Sequence, residues 1–113
     1  MIEMKYKFTI EESNKGYKKI ILSEELKLIE YVFEDMESLG EAIFKSFIEK
    51  VINEDSTYEE ISGNICSLEI RKEFTIVSAE FVPSEISSEY KIETDELFSL
   101  ILVWIDINNS KLN

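Results

Sequence analysis

Histidine is absent from the 113 residues, cysteine and proline each occur once and glycine three times, and each shortage removes a class of function. Histidine is the one side chain that titrates near neutral pH without help, so a general base, or an activated Ser or Cys nucleophile, lacks its usual partner here. A zinc site would have to be assembled almost wholly from carboxylates, an unusual choice for that metal. With Cys66 alone, no internal disulfide can form; within ISGNICSLEI it reads as a small core residue. Glycine-rich phosphate loops are missing, with no Walker-type segment and no G-x-G-x-x-G; nor is there a zinc-binding H-E-x-x-H, and neither Ser23 nor Ser46 sits in a nucleophile elbow. Neither an enzymatic activity nor a cofactor is expected.

Long hydrophobic runs are missing as well. The densest stretch, Leu97 to Ile107, is interrupted by Ser99 and Asp106, far short of the ~20 apolar residues that span a bilayer. The opening MIEMKYKFTI alternates lysine with apolar residues and has neither an apolar core nor a small-residue cleavage site, so a cytoplasmic location without membrane contact is expected.

What is present is a composition that folds. Hydrophobic residues make up 44% and aromatics 12% of the chain, too many for a disordered acidic tail and right for one domain, 1–113, around one core. The net charge is −12 and unevenly spread: residues 1–27 carry six lysines and five glutamates, whereas residues 28–113 carry six basic and nineteen acidic side chains. Such a surface repels phosphate backbones and anionic lipid and favours a basic protein partner over nucleic acid or membrane.

Period-two alternation in Met4 to Ile10 places Met4, Tyr6, Phe8 and Ile10 on one face of a half-exposed strand, and a turn over Glu11 to Gly16 leads to a second strand, Tyr17 to Leu22, in a hairpin. Ser23-Glu24-Glu25 could cap a helix, yet Ile29, Tyr31 and Phe33 alternate, and Leu26 to Phe33 is assigned to a strand. From Asp35, taken as N-cap, Met36, Leu39, Ile43, Phe44, Phe47, Ile48, Val51 and Ile52 recur at helical spacing over more than half the circumference. Gly40 falls near the middle of that apolar arc, as a point of close backbone approach or as a merely tolerated residue. Asn53 to Glu60 reads as a loop, Ile61 to Lys72 and Phe74 to Val82 as strands, and PSEISSEY as a surface linker. Thr94-Asp95-Glu96 then offers a hydroxyl cap and first-turn acids for a helix over Leu97 to Asn108, although Ile101, Val103, Ile105 and Ile107 would equally suit a buried strand. The expected fold class is α+β: an antiparallel sheet of four or five strands packed against two helices.

The carboxylates around the long helix pattern are the feature that asks for a function. Glu34, Asp35, Glu37 and Glu41 fall at its expected N-terminus, where the helix dipole favours negative charge, and Glu41 precedes Lys45 by four residues. Glu54, Asp55, Glu59 and Glu60 follow the C-terminus, where the dipole disfavours it. Tyr58 among them has the character of an interface anchor that acids could steer onto a basic partner. The candidate partner-binding residues are therefore Glu54, Asp55, Tyr58, Glu59 and Glu60, with Glu37 and Glu41. The same loop could offer oxygens to calcium or magnesium, but its spacing matches no EF-hand and no metal ligands are assigned.

In size, charge and layout, carried most visibly by FEDMESLGEAI and TDELFSLILVW, the chain resembles the immunity proteins that bacteria make against polymorphic and contact-dependent growth inhibition toxins. The resemblance implies a stoichiometric inhibitor of a nuclease or similar toxin, plugging its active site or covering a neighbouring exosite, and brings no binding residues with it. Two alternatives stand beside it: a small structural or adaptor subunit that self-associates through apolar surface left by the wide helix, and a carboxylate-dependent metal-binding protein.

Overall fold

The computed structural model describes residues 5–13 and 16–112. The chain folds as α+β, with three α-helices and two antiparallel sheets among the described residues. Strands β1 (Thr9–Glu12) and β2 (Lys18–Ile21) form a hairpin in which Glu11 faces Lys19 and Glu12 faces Lys18, opposite charges that favour this register. The first strand starts later than its alternation suggests. Tyr6 and Phe8 are half-buried against the core without belonging to a strand, and Ile10 is exposed; Met4, Asn14 and Lys15 lie outside the described residues.

The segment expected as a third strand is a helix. After a 3-10 turn over Glu24–Leu26, α1 runs Lys27–Leu39. Leu28, Ile29, Val32, Phe33 and Met36 form its buried stripe, while Tyr31 is only half-buried. Spacings of one, three and four residues satisfy a helix; of the alternating Ile29, Tyr31 and Phe33, only Ile29 and Phe33, one helical turn apart, belong to that stripe. Asp35 accordingly lies inside α1 and caps nothing at its start, and Glu37 and Glu41 lie at its far end.

Gly40 ends α1. Its φ of 69° is left-handed, and its N–H and that of Glu41 both return to the Met36 carbonyl, at 2.9 and 3.3 Å, the usual way a glycine closes a helix. A new helix, α2, spans Lys45–Ile52 and buries Ile48 and Val51, with Phe44 buried just before it. The over-wide apolar arc is thus two ordinary stripes on two helices, and Leu39, at the break, stays 42% exposed. Lys45 does not look back to Glu41; its ammonium lies 3.2 Å from Glu49.

The larger sheet is a meander of β3 (Glu59–Ser62), β4 (Cys66–Ile70), β5 (Phe74–Ala79) and β6 (Glu89–Glu93), each strand antiparallel to the next. The expected strand over 61–72 is broken by a turn at 63–65, the expected loop over 53–60 loses its last two residues to β3, and β6 begins inside the stretch taken for a linker. The expected strand over 74–82 stops at Ala79, which leaves Phe81 outside the sheet. Finally, α3 spans Thr94–Ile107, so the helical alternative is the correct one; Leu97, Leu100, Ile101 and Trp104 are buried, and the helix packs on α2, β2, β5 and β6. Asp95 and Glu96 occupy its first turn as expected, but the Thr94 hydroxyl donates to the Arg71 carbonyl and meets Thr75 Oγ1 at 2.9 Å, tying the helix start to the sheet instead of capping it. Among the described residues no helix is long and apolar enough to cross a membrane.

All three helices cover one face of the sheet. Cys66, Leu68, Ile70, Thr75, Val77, Ala79 and Ile92 point into the core with them, while the alternate residues on the other face are half-buried or exposed. The hairpin is clamped to α3 by Asn108, whose amide accepts from Lys18 N at 2.7 Å and donates to Lys18 O at 3.0 Å, and by Tyr17, stacked on Trp104 with ring centres 6.0 Å apart.

Candidate partner-binding surface

Asp35, the most deeply buried carboxylate, has a structural task. It is wholly enclosed, and its oxygens accept the backbone N–H groups of Asn64 (2.8 Å), Ile65 (2.9 and 3.0 Å) and Cys66 (2.8 Å). Successive N–H groups converging on one anion form a backbone nest. The charge fixes the β3–β4 turn, and no surface role remains for it.

Four of the seven candidate residues lie on three separate concavities, while Asp55 stays in the loop and Glu59 and Glu60 open β3. Glu37 accepts the Ser13 hydroxyl at 3.1 Å and belongs to a cleft between the hairpin and α1, where Glu11, Glu12, Glu30 and Glu34 also lie beside Lys19. Glu41 lines a shallow depression with Phe47, Ile61 and Ser62. Glu54 and Tyr58 border a third, with Arg71 and Lys72. The hairpin's contribution of Glu11 and Glu12 was invisible along the chain, because only pairing with β2 brings them beside α1.

Two of the loop acids have partners of their own. Glu54 sits at a φ of 63°, the left-handed region, one residue past the Asn53 that caps α2, and its carboxylate lies 3.0 Å from Lys72 Nζ. The Asp55 and Ser56 N–H groups both reach the Lys50 carbonyl, at 2.9 and 3.0 Å, so the end of α2 is satisfied by backbone while Asp55 stays exposed. Tyr58 is packed back onto the sheet. Its ring lies 4.7 Å from the Arg71 guanidinium, and its hydroxyl donates to Glu60 at 2.6 Å and, more distantly, to Glu69 at 3.4 Å. The hydrogen bond to Glu60, with burial second, pushes the phenol up to about 12.

Glu60 and Glu69 are cross-strand partners on the sheet face that the helices leave open. Next to them runs a row of small hydroxyls, Ser62, Ser67 and Ser78, in register across β3, β4 and β5, the first two joined by a 2.8 Å hydrogen bond. The face is electrically divided. At one end Phe74 is roofed by cations, Lys91 Nζ at 4.1 Å and the Arg71 guanidinium at 5.6 Å from its ring centre. At the other end the connection from β5 to β6 carries Glu80 and Glu85, Glu89 opens β6, and residues 80–89 hold no lysine or arginine; Phe81 stands 90% exposed.

No protein-family model matches the chain, and no solved structure matches it. A protein of Bacillus cereus named Immunity protein is 35% identical to it over 104 residues, which cover 91% of this chain and 88% of that protein.

Proposed function

Since the chain belongs to the immunity-protein family, we propose that it neutralises one cognate toxin by stoichiometric binding and that its carboxylates meet a basic surface of that toxin. The observation that carries this reading is the kinship along nearly the whole chain, joined to a net charge of −12 concentrated beyond residue 27. A nuclease of the polymorphic or contact-dependent class fits as the target, because an enzyme that grips a phosphate backbone must itself present positive charge. Complementary charge speeds encounter more than it tightens the final complex. Glu54, Asp55, Tyr58, Glu59 and Glu60, with Glu37 and Glu41, are the proposed sources of that attraction, acting in the cytoplasm where such a toxin would reach nucleic acid.

The test is rescue. Co-expression with the cognate toxin domain should restore growth, and the purified pair should associate more slowly as salt rises. Growth arrest undiminished by the chain, or an association rate indifferent to salt, overturns the reading. Self-association through a wide helical face finds little support, since the arc that suggested it is divided between two helices; Met36, Phe44, Ile48 and Val51 are buried, Ile43, Phe47 and Ile52 are half-buried, and Leu39 alone of the set is exposed.

A further inference from the structure

We infer that the toxin is gripped on the open face of the four-stranded sheet, at its acidic end, with Phe81 as the anchor. This rests on the immunity function proposed above and names the surface through which it acts.

A phenylalanine 90% exposed gains nothing for the fold, and the residues beside it make a place for something else. Ser67, Ser78, Glu80, Ser88 and Glu89 form with Phe81 a cleft of about 520 Å³. Its floor is low because Ser67 and Ser78 face each other across β4 and β5, so a partner side chain can lie against the sheet without displacing a bulky neighbour. Its rim carries one sign of charge: residues 79–89 contain three glutamates and no basic residue.

The occupant that this arrangement fits is a protein surface bearing arginine or lysine. An aromatic face attracts a guanidinium or ammonium group, the glutamates supply the opposite charge, and the cations at the Phe74 end of the same face repel such a surface and so choose which end it meets. Exposed aromatic residues beside small ones, rimmed by charge, are where binding energy concentrates in interfaces. The row that follows, Glu60 and Glu69, continues the acidic surface as far as Tyr58, where the Arg71 guanidinium lies over the ring.

The probe is the toxin domain that the chain rescues cells from, catalytically inactivated, titrated with the whole chain. Phe81→Ala should raise Kd at least tenfold, chiefly through faster dissociation, and Ser78→Arg, which fills the floor with the wrong charge, should do so as well. Leu39→Ala, on the helical side, should leave Kd unchanged. Circular dichroism should be the same for all three, since Phe81 and Leu39 lie outside the buried core and Ser78 points away from it. Wild-type affinity retained by both Phe81→Ala and Ser78→Arg overturns the inference while leaving the immunity function standing. A wild-type chain that neither binds nor rescues overturns the two together. A sedimentation coefficient of a dimer that falls to that of a monomer on Phe81→Ala also overturns the inference, assigning the face to a second copy of this chain.

Discussion

Asp35 and Gly63 fit against each other so closely that a Cβ at position 63 would lie 2.5 Å from Asp35 Oδ2 and 2.7 Å from its Cγ. The carboxylate cannot step aside, being held by the N–H groups of Asn64, Ile65 and Cys66. Gly63→Ala should therefore cost about 2 kcal/mol of overpacking strain. Asp35→Ala, which strands the buried N–H of Cys66 and the part-buried ones of Asn64 and Ile65, should cost roughly 3 kcal/mol. In the Asp35→Ala background the atoms that the new methyl would strike are gone, and Gly63→Ala should cost far less. Urea unfolding of the four proteins measures this coupling; strictly additive losses would show that the two residues do not meet.

Glu54 stands where helices usually place glycine, and a non-glycine residue there costs about 1 kcal/mol. Its ion pair with Lys72 is exposed, with 73% of the Glu54 side chain open to solvent, and returns little of that. Glu54→Gly should leave stability unchanged or raise it by up to ~1 kcal/mol, and should slow association with the toxin domain. Thermal melting and stopped-flow mixing separate the two effects. A large loss of stability would mean that the acid serves the fold.

Glu93 receives Lys5 Nζ at 2.5 Å and the Tyr6 hydroxyl at 2.7 Å, and these hydrogen bonds hold its carboxyl down at about 2, from an ordinary 4.5. A carboxyl depressed by folding adds stability above its unfolded pKa and loses it as pH falls toward the folded one. The contribution is thus complete above pH 4.5 and fades between there and pH 2; with the side chain 42% exposed it is small. Glu93→Gln should flatten the dependence of the urea midpoint on pH across that window, and the Glu93 carboxylate signal in an NMR titration should move only near its lower end.

Cys66 is 1% exposed, and burial, with the Asp35 charge second, pushes its thiol up to about 12. Reactivity requires thiolate and access, so a thiol reagent should modify the protein only as fast as it opens. Asp35→Ala, which frees the turn leading into Cys66, should accelerate labelling well beyond the wild-type rate. Rapid labelling of the native wild-type protein would place the thiol at the surface.

Legibility along the chain followed the locality of the physics. Alternation in Phe74 to Ala79 and the acids before Leu97 depend on near neighbours, and both marked real elements. The start of α1 was hidden because Ile29 and Phe33, four apart on its buried stripe, have the half-buried Tyr31 between them, and the three together mimic alternation. Gly40 could be read as an interruption or a terminator, and only the left-handed φ distinguishes them. Asp35 had the composition of a cap, but its donors lie about thirty residues away in the β3–β4 turn, where nothing in its own neighbourhood points. Phe81 continued an apolar strand pattern past Ala79; the nearby Pro83 and the three glutamates were the available hint that the strand had already ended.

A one-sided arrangement of helices also sorts the meander's residues into two sets that can change independently. Leu68 and Val77 are bound by packing, whereas Ser67 and Ser78, their immediate neighbours, answer to no interior constraint. Substitutions in the second set leave the first intact, so related chains can drift toward different antagonists while keeping a common scaffold, a useful property where attacker and defender must alter in step.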